Sequence, residues 1–355
     1  MELNKIGVPA DILSQYNLGF LDTPNDVKKW KDAGVPQIVW LNANTLGGVF
    51  SAVFKLVNLI RTNKYNYVIT TNTGLDTIAA IARFFIKFKH LVALHDYPHG
   101  SVTKAPRFKL WRSLVVKSLF KAYAISDFVR NENLKYISIA PDKIQTIHNS
   151  IDLNTFTNDA GKETDITEKL NAVKGKKLLF IGRLVKRKGI DILLNVLSQL
   201  PHDVSLIIAG DSFDKAIEEG AANYRDEIIS IIQQLKLEDR VVLLGQCKEV
   251  YTIMKQCDVM VHLARHEGFG LVLLEAFAAG LPVVTSNIGG IPEVLKDTSY
   301  KAIDLNNTEE IISEINYLLN MDAKEKQMIT AQAKNTLEYF SDKRRAKDIA
   351  EKILI

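Results

Sequence analysis

Two carboxylates and two cations carry the clearest chemistry in the sequence. Glu267 and Glu275 lie eight positions apart in Arg265-His266-Glu267-Gly268-Phe269-Gly270-Leu271-Val272-Leu273-Leu274-Glu275, directly after an apolar run ending near Leu263. This reads as a strand, a tight glycine turn and a helix. Gly268 and Gly270 let backbone amides approach a ligand closely, and with the helix dipole those amides suit a phosphate. Glu275, about one and a half turns into the helix, can reach a ribose, while Glu267 stands at the mouth of the turn. The alternative makes Glu267 a charge at the helix start and Glu275 a solvated one; it leaves the glycines unexplained. A second segment, Gly182-Arg183-Leu184-Val185-Lys186-Arg187-Lys188-Gly189, closes another strand. Arg183 and Lys188 can neutralise a departing diphosphate, or the loop is a basic surface loop.

These segments need elements to hold them. Short β-branched runs alternate with helical stretches from residue 35 onward, as in parallel sheets built of βαβ units. The expected strands are Gln37–Leu41, Tyr67–Thr71, Leu91–His95, Ala122–Ile125 and Ile144–Ile147, then Lys177–Gly182, Val204–Gly210, Arg240–Gly245, Asp258–Leu263, Pro282–Ser286 and Lys301–Asp304. Polar Asp152–Gly175 reads as a connection, so the division falls near Ser150, with residues 1–150 and 151–335 as two domains. Asp322–Ile355 reads as charged helix, its last part, 336–355, returning toward the first domain. Two doubly wound sheets with their strand ends toward a shared cleft are the expected α/β architecture. The 355 residues suit two cores rather than one.

Charge divides unevenly. Residues 1–150 carry 19 Lys and Arg against 10 Asp and Glu, and the remainder 26 against 31, giving +9 and −5. The first half therefore favours an anionic partner. Between Arg83 and Lys121 there are nine basic residues and one acid, Asp96. Arg107–Lys121 reads as a helix whose second stripe, Leu110 and Leu114 beside Lys117 and Lys121, suits an anionic membrane surface or plain solvent equally. The aromatics do not space out as a stacking platform, so nucleic acid is not expected. His95 and His99 straddle a strand end and a proline turn, which does not make a metal site; His95 reads as a polar cleft residue. Cys247 and Cys257 lack partners at zinc spacing and read as reduced. Neither a signal peptide nor a membrane span is legible, which gives a cytoplasmic expectation, with peripheral attachment at the inner face of the cell membrane if the basic stretch engages lipid.

The Gly182–Gly189 loop, the Glu267–Glu275 pair around Gly-Phe-Gly-Leu, and Gly289-Gly290-Ile291-Pro292-Glu293 together resemble the C-terminal half of glycosyltransferase family 4, retaining enzymes of GT-B fold. Val92–Asp96, Ala124–Asp127 and His148–Asp152 resemble pieces of its N-terminal half more loosely. The resemblance implies transfer from a nucleoside-diphosphate-sugar to a glycan or lipid-linked glycan with an α-glycosidic product. Arg183, Lys188 and Gly182 would serve the diphosphate, Glu267 the sugar hydroxyls and Glu275 the ribose. Gly268, Phe269, Gly270 and Leu271 would line sugar and phosphates, Gln246, Cys247 and Lys248 would flank the base, and His95 would lie near the transferred sugar. No metal and no cofactor beyond the donor are implied, and there is no Asp-x-Asp motif. Met1–Asp11 starts late relative to the family's opening strand and glycine loop, and Leu263-Ala264 replaces its Pro-Ser. A nucleotide-sugar epimerase and a non-catalytic nucleotide-sugar-binding subunit are the alternatives.

Overall fold

The computed structural model describes residues 12–14, 38–40, 46–98, 106–157, 165–211 and 221–354. The chain divides into two units, Met1–Asn149 with Asp342–Ile355, and Ser150–Ser341. The opening segment Met1–Asp11 and His99 lie outside the described residues.

In the first unit, β1 (Ile12–Ser14) and β2 (Ile38–Trp40) pair in parallel as a small sheet. The main sheet has β3 (Tyr67–Thr70), β4 (Lys89–Leu94), β5 (Leu119–Ala124) and β6 (Ile144–Thr146) side by side in chain order, all parallel. Helices Leu46–Asn63, Thr73–Ala82, Pro106–Ser118 and Asp127–Tyr136 alternate with these strands. Two of them start on side-chain caps: Asn72 Oδ1 accepts from the Leu75 amide at 2.9 Å, and Ser126 Oγ from the Val129 amide at 3.0 Å.

Helix Leu46–Asn63 and helix Thr73–Ala82 build one apolar layer from Ala52, Val53, Leu56, Val57, Ile60, Ile78 and Phe88. Another layer joins Leu91, Ala93, Tyr123 and Ile147 of the sheet to Ile349 and Ile353 near the C-terminus. The last residues thus complete the first unit's core, and Lys121 Nζ donates to the Lys352 carbonyl at 3.0 Å.

The second unit holds one six-stranded parallel sheet. Its strands are β7 (Lys176–Ile181), β8 (Val204–Ala209), β9 (Val241–Gly245), β10 (Val259–His262), β11 (Val283–Ser286) and β12 (Ala302–Ile303). They lie in the order β12-β11-β10-β7-β8-β9. The order reverses between β7 and β10, and open α/β sheets take ligands at the carboxyl ends of strands flanking such a reversal.

Three expectations need correction. The helix expected over Arg107–Lys121 ends at Ser118, and Leu119–Lys121 belong to β5. Backbone pairing with β4, where His90 lies beside Leu119 and Leu91 beside Lys121, outweighs the helical spacing of these residues. The terminal helix is interrupted at Tyr339–Ser341, where the Phe340 carbonyl accepts from the Ile151 amide at 2.9 Å and Ile151 forms a bridge with Ser341. Asp152–Gly175 contains more than a connection: helix Asp165–Ala172 buries Leu170 completely in the second unit.

Because Ile353 is fully buried against the first unit's sheet, Ile353→Ala should cost about 2–4 kcal/mol of unfolding free energy. Hydrogen exchange should quicken in Lys89–Leu94 and Leu119–Ala124 while Val259–His262 keeps its protection. Equal loss in both units would contradict this assignment of the C-terminal segment.

Candidate functional site

The two segments singled out from the sequence follow β7 and β10, the strands on either side of the reversal in the second sheet. They are in contact through close backbone approach. Gly189 takes a left-handed φ of 70°, and a Cβ there would stand 1.9 Å from the Leu263 carbonyl oxygen. Only glycine allows the loop after β7 to lie this close to the end of β10. The Arg265 amide then donates to the Arg187 carbonyl at 2.7 Å. The Arg265 guanidinium grips Asp191 with two bonds of 2.7 and 2.6 Å and reaches the Lys186 carbonyl at 2.9 Å. Tyr224 donates to the same Asp191 carboxylate at 2.8 Å. Such a bidentate pair supplies geometric definition as well as attraction, so it locks the loops to each other.

On the site side, Glu267 Oε2 accepts from Lys188 Nζ at 2.7 Å and lies 3.2 Å from His262 Nε2. His262 is 1% exposed, while the Lys188 and Glu267 side chains are each 14% exposed. Burial alone would raise the Glu267 pKa, but the His262 hydrogen bond and the Lys188 charge overcome it and hold the carboxyl well below the usual range. Burial lowers the His262 pKa despite its bond to Glu267. The consistent arrangement is a neutral imidazole donating Nε2–H to an ionised carboxylate. Thr285 Oγ1 donates to the His262 carbonyl at 3.0 Å, and Ser286 Oγ to the Ala264 carbonyl at 2.8 Å, so β11 fixes the strand end that carries the imidazole.

A third loop packs beneath. At Gly289, with φ of 61°, a Cβ would meet the Glu267 carbonyl oxygen at 1.7 Å. Gly270, with φ of 97°, turns the chain into helix Leu271–Ala279. Of the two glycines in this turn expected to release the backbone, Gly270 takes the left-handed region and Gly268 does not. Phe269 is buried and meets Phe340 edge to face at 5.7 Å. Its side chain is therefore structural. Leu271 is exposed. Glu275, one turn into the helix, is half-buried, and burial pushes its carboxyl up to about 7.

The remaining expected residues fall as follows. Gly182 and Arg183 are half-buried at the end of β7. Gln246 and Lys248 are exposed and Cys247 is half-buried after β9, at the edge of the same sheet and the same strand ends. Cys247 Sγ lies 3.4 Å from the Gly245 carbonyl, and burial raises its pKa. His95 is exposed just beyond β4 in the first unit. His262 was not singled out from the sequence. It lies within an apolar strand pattern, and nothing in that pattern separates a histidine facing Glu267 from a satisfied core histidine.

The geometry makes Lys188 and Glu267 a coupled pair. Lys188→Met should cost about 2–4 kcal/mol of stability, because removing one partner strands a largely buried charge. Adding Glu267→Gln to that variant should recover more than half of the loss. Additive costs in denaturant unfolding would show that the pair does not hold the loops together.

Comparison with known proteins places this site in a family. The family profile described as Glycosyltransferase Family 4 matches residues 20–155, and that described as Glycosyl transferases group 1 matches residues 161–336. A Campylobacter jejuni N-acetylgalactosamine-N,N'-diacetylbacillosaminyl-diphospho-undecaprenol 4-alpha-N-acetylgalactosaminyltransferase is 28% identical over 232 residues, 65% of this chain and 57% of that protein. An N-acetyl-alpha-D-glucosaminyl L-malate synthase from Bacillus anthracis is 31% identical over 185 residues, 50% of this chain and 44% of that protein. The chain thus spans about half the length of these curated relatives. Among solved structures, Anabaena HepE in complex with UDP and glucose superposes with a TM-score of 0.81 at 20% identity, covering 99% of this chain and 94% of that one. With the sheet order, the glycine-locked loops and matches along both halves, the chain belongs to glycosyltransferase family 4, the group 1 glycosyl transferases, and has the GT-B fold.

Proposed function

We propose that the protein transfers a sugar from a nucleoside-diphosphate-sugar to a glycan or lipid-linked glycan, with retention at the anomeric carbon. The observation that carries this reading is the meeting of Lys188, Glu267 and His262 with the start of helix Leu271–Ala279 at the reversal between β7 and β10. Cation, carboxylate and helix start are what a sugar diphosphate requires within one span. The names of two relatives support it: one is called a transferase acting on a diphospho-undecaprenol-linked sugar, and HepE was crystallised with UDP and glucose.

In this reading Arg183, Lys188 and the amides from Phe269 to Leu271 take the diphosphate, with Gly182 leaving room for it. Lys188 is already bonded to Glu267, so the ammonium bridges the sugar-binding carboxylate and the arriving phosphate. His262 acts as a positioning residue that keeps Glu267 ionised and aimed at sugar hydroxyls. Glu275 accepts from the ribose, residues Gln246–Lys248 flank the base, and His95 lies toward the transferred sugar. The bond from the anomeric carbon to the β-phosphate oxygen breaks as the bond to the acceptor oxygen forms on the same face. The acceptor proton passes to the departing phosphate, so the protein contributes position and charge stabilisation.

Glu275 separates this reading from a purely structural one. Its carboxyl is raised, so its ionisation opposes folding: the stability it gives is complete below the ordinary glutamate range and is lost as pH rises through about 7. Glu275→Gln should therefore gain about 1–2 kcal/mol above neutral pH, read as a higher Tm, with little change in acid. The same variant should bind UDP or GDP more weakly by roughly tenfold or more, since a charged acceptor is lost. In the parent, affinity should rise between about pH 6 and pH 8 as the carboxylate ionises. Unchanged binding in Glu275→Gln and in Arg183→Ala would overturn the donor site.

Turnover should persist in EDTA, because Arg183, Lys188 and the helix N-terminus offset the diphosphate charge. Donor hydrolysis or transfer that stops on chelation and returns with a divalent cation would contradict this account of the leaving group.

A further inference from the structure

Four phenylalanines of the first unit stand in solvent: Phe50 is 63% exposed, Phe54 69%, Phe84 79% and Phe85 60%. Phe50 and Phe54 are one turn apart on helix Leu46–Asn63 and so share a face. Phe84 and Phe85 follow helix Thr73–Ala82, which packs beside it, and the rings of Phe54 and Phe85 lie 6.4 Å apart. Single exposed apolar residues are ordinary, but large aromatics grouped across two neighbouring elements mark a contact surface.

The charges around them are of one sign. Residues 46–90 contain six Lys and Arg and a single acid, Asp76. Asp76 is 2% exposed and accepts a hydrogen bond from Trp111 Nε1 at 2.9 Å, so it contributes no negative charge to the surface. Lys55, Arg61, Lys64 and Lys87 are exposed. Arg61 lies two turns beyond Phe54 on the same helix face. Among the described residues no helix is long and apolar enough to cross a membrane.

We propose that Phe50, Phe54, Phe84 and Phe85, with Lys55, Arg61 and Lys87, form the face by which this protein docks on an anionic lipid bilayer. Aromatic rings enter the boundary between headgroups and acyl chains while flanking ammonium and guanidinium groups meet lipid phosphates. A second copy of the chain fits this face poorly, because a two-fold contact would set these cations against their own counterparts. The docking face shares Phe84, Phe85 and Lys87 with the basic stretch Arg83–Lys121 but does not use the helical stripe expected within it, where Leu114 is half-buried and Lys121 lies on β5 bonded to a backbone carbonyl. This inference goes beyond the sugar-transfer reading and does not depend on it.

The test is co-sedimentation of the full chain with phosphatidylcholine vesicles and with mixed phosphatidylcholine–phosphatidylglycerol vesicles. The protein should bind the mixed vesicles and be released as salt screens its cations. Phe54→Ser combined with Phe85→Ser, and separately Lys55→Glu combined with Lys87→Glu, should each weaken that binding at least about tenfold. Tm and nucleotide binding should stay at parental values in both variants. Failure of the parent to bind mixed vesicles, or parental binding by the phenylalanine variant, overturns the proposal. So does a fall in Tm of the size produced by a core substitution, which would mean that other residues of the chain cover the rings. A loss of dimer in sedimentation on making the phenylalanine changes would instead assign the face to a second copy.

Discussion

Placing a carboxylate where water is largely excluded is costly unless donors surround it, and the second unit is organised around meeting that cost at Glu267. The Lys188 ammonium arrives from the loop after β7 and the His262 imidazole from β10 itself. The two donors come from strands that are far apart in sequence and neighbours in the sheet. The carboxylate therefore reads out whether β7 and β10 are paired in register. It also faces the strand ends, where a polar ligand can share its remaining lone pairs.

That arrangement constrains the backbone around it. Gly189 and Gly289 sit against carbonyl oxygens of the loop after β10, and Gly210 sits against the carbonyl of Gly182 in the same way. Each is a place where a side chain would push two loops apart. Arg265, Asp191 and Tyr224 close the same contact through charged hydrogen bonds. Glycine contacts set the loop spacing and the ion pair sets its orientation, so Lys188 and Glu267 are held in place by the fold itself. In the proposed sugar transfer, pre-organisation of this kind would be the protein's main contribution.

The first unit follows a different rule. Its sheet is completed by residues from the far end of the chain, with Ile349 and Ile353 packed on Leu91, Tyr123 and Ile147. Its interior also carries a polar set: Thr70 Oγ1 is 2.9 Å from His90 Nε2, and Ser118 Oγ is 3.1 Å from His90 Nδ1. Desolvation lowers His90 to about 4, and the Arg83 charge acts in the same direction. Desolvation raises Asp76 to about 6 against its bonds to Thr70 and Trp111. The histidine favours folding as pH rises out of the acid range, whereas the aspartate favours it as pH falls, so the two oppose each other between about pH 4 and pH 6.

Much of this site was legible in the sequence because it rests on local signals. The glycines of Gly182–Gly189 and Glu267–Gly270 fall directly after apolar runs, and the expected strands overlap the observed ones along both halves. Glycine turns and strand periodicity are encoded within a few residues of where they act. The helix over Arg107–Lys121 was misread in its last three residues because helical spacing persists in a segment that pairing with β4 claims for the sheet. His262 stayed hidden for a related reason. A histidine in an apolar strand shows its type and not its partner, and the partner is set by a turn that brings Glu267 back over it. The sequence by itself determined the alternating α/β architecture of both halves and the glycine loops that follow β7 and β10. Only the tertiary structure decided that Lys188 and His262 share one carboxylate, that the C-terminal residues complete the first unit's core, and that four phenylalanines remain in solvent. Those three outcomes depend on contacts between residues distant in the chain, which no local pattern of residue types specifies.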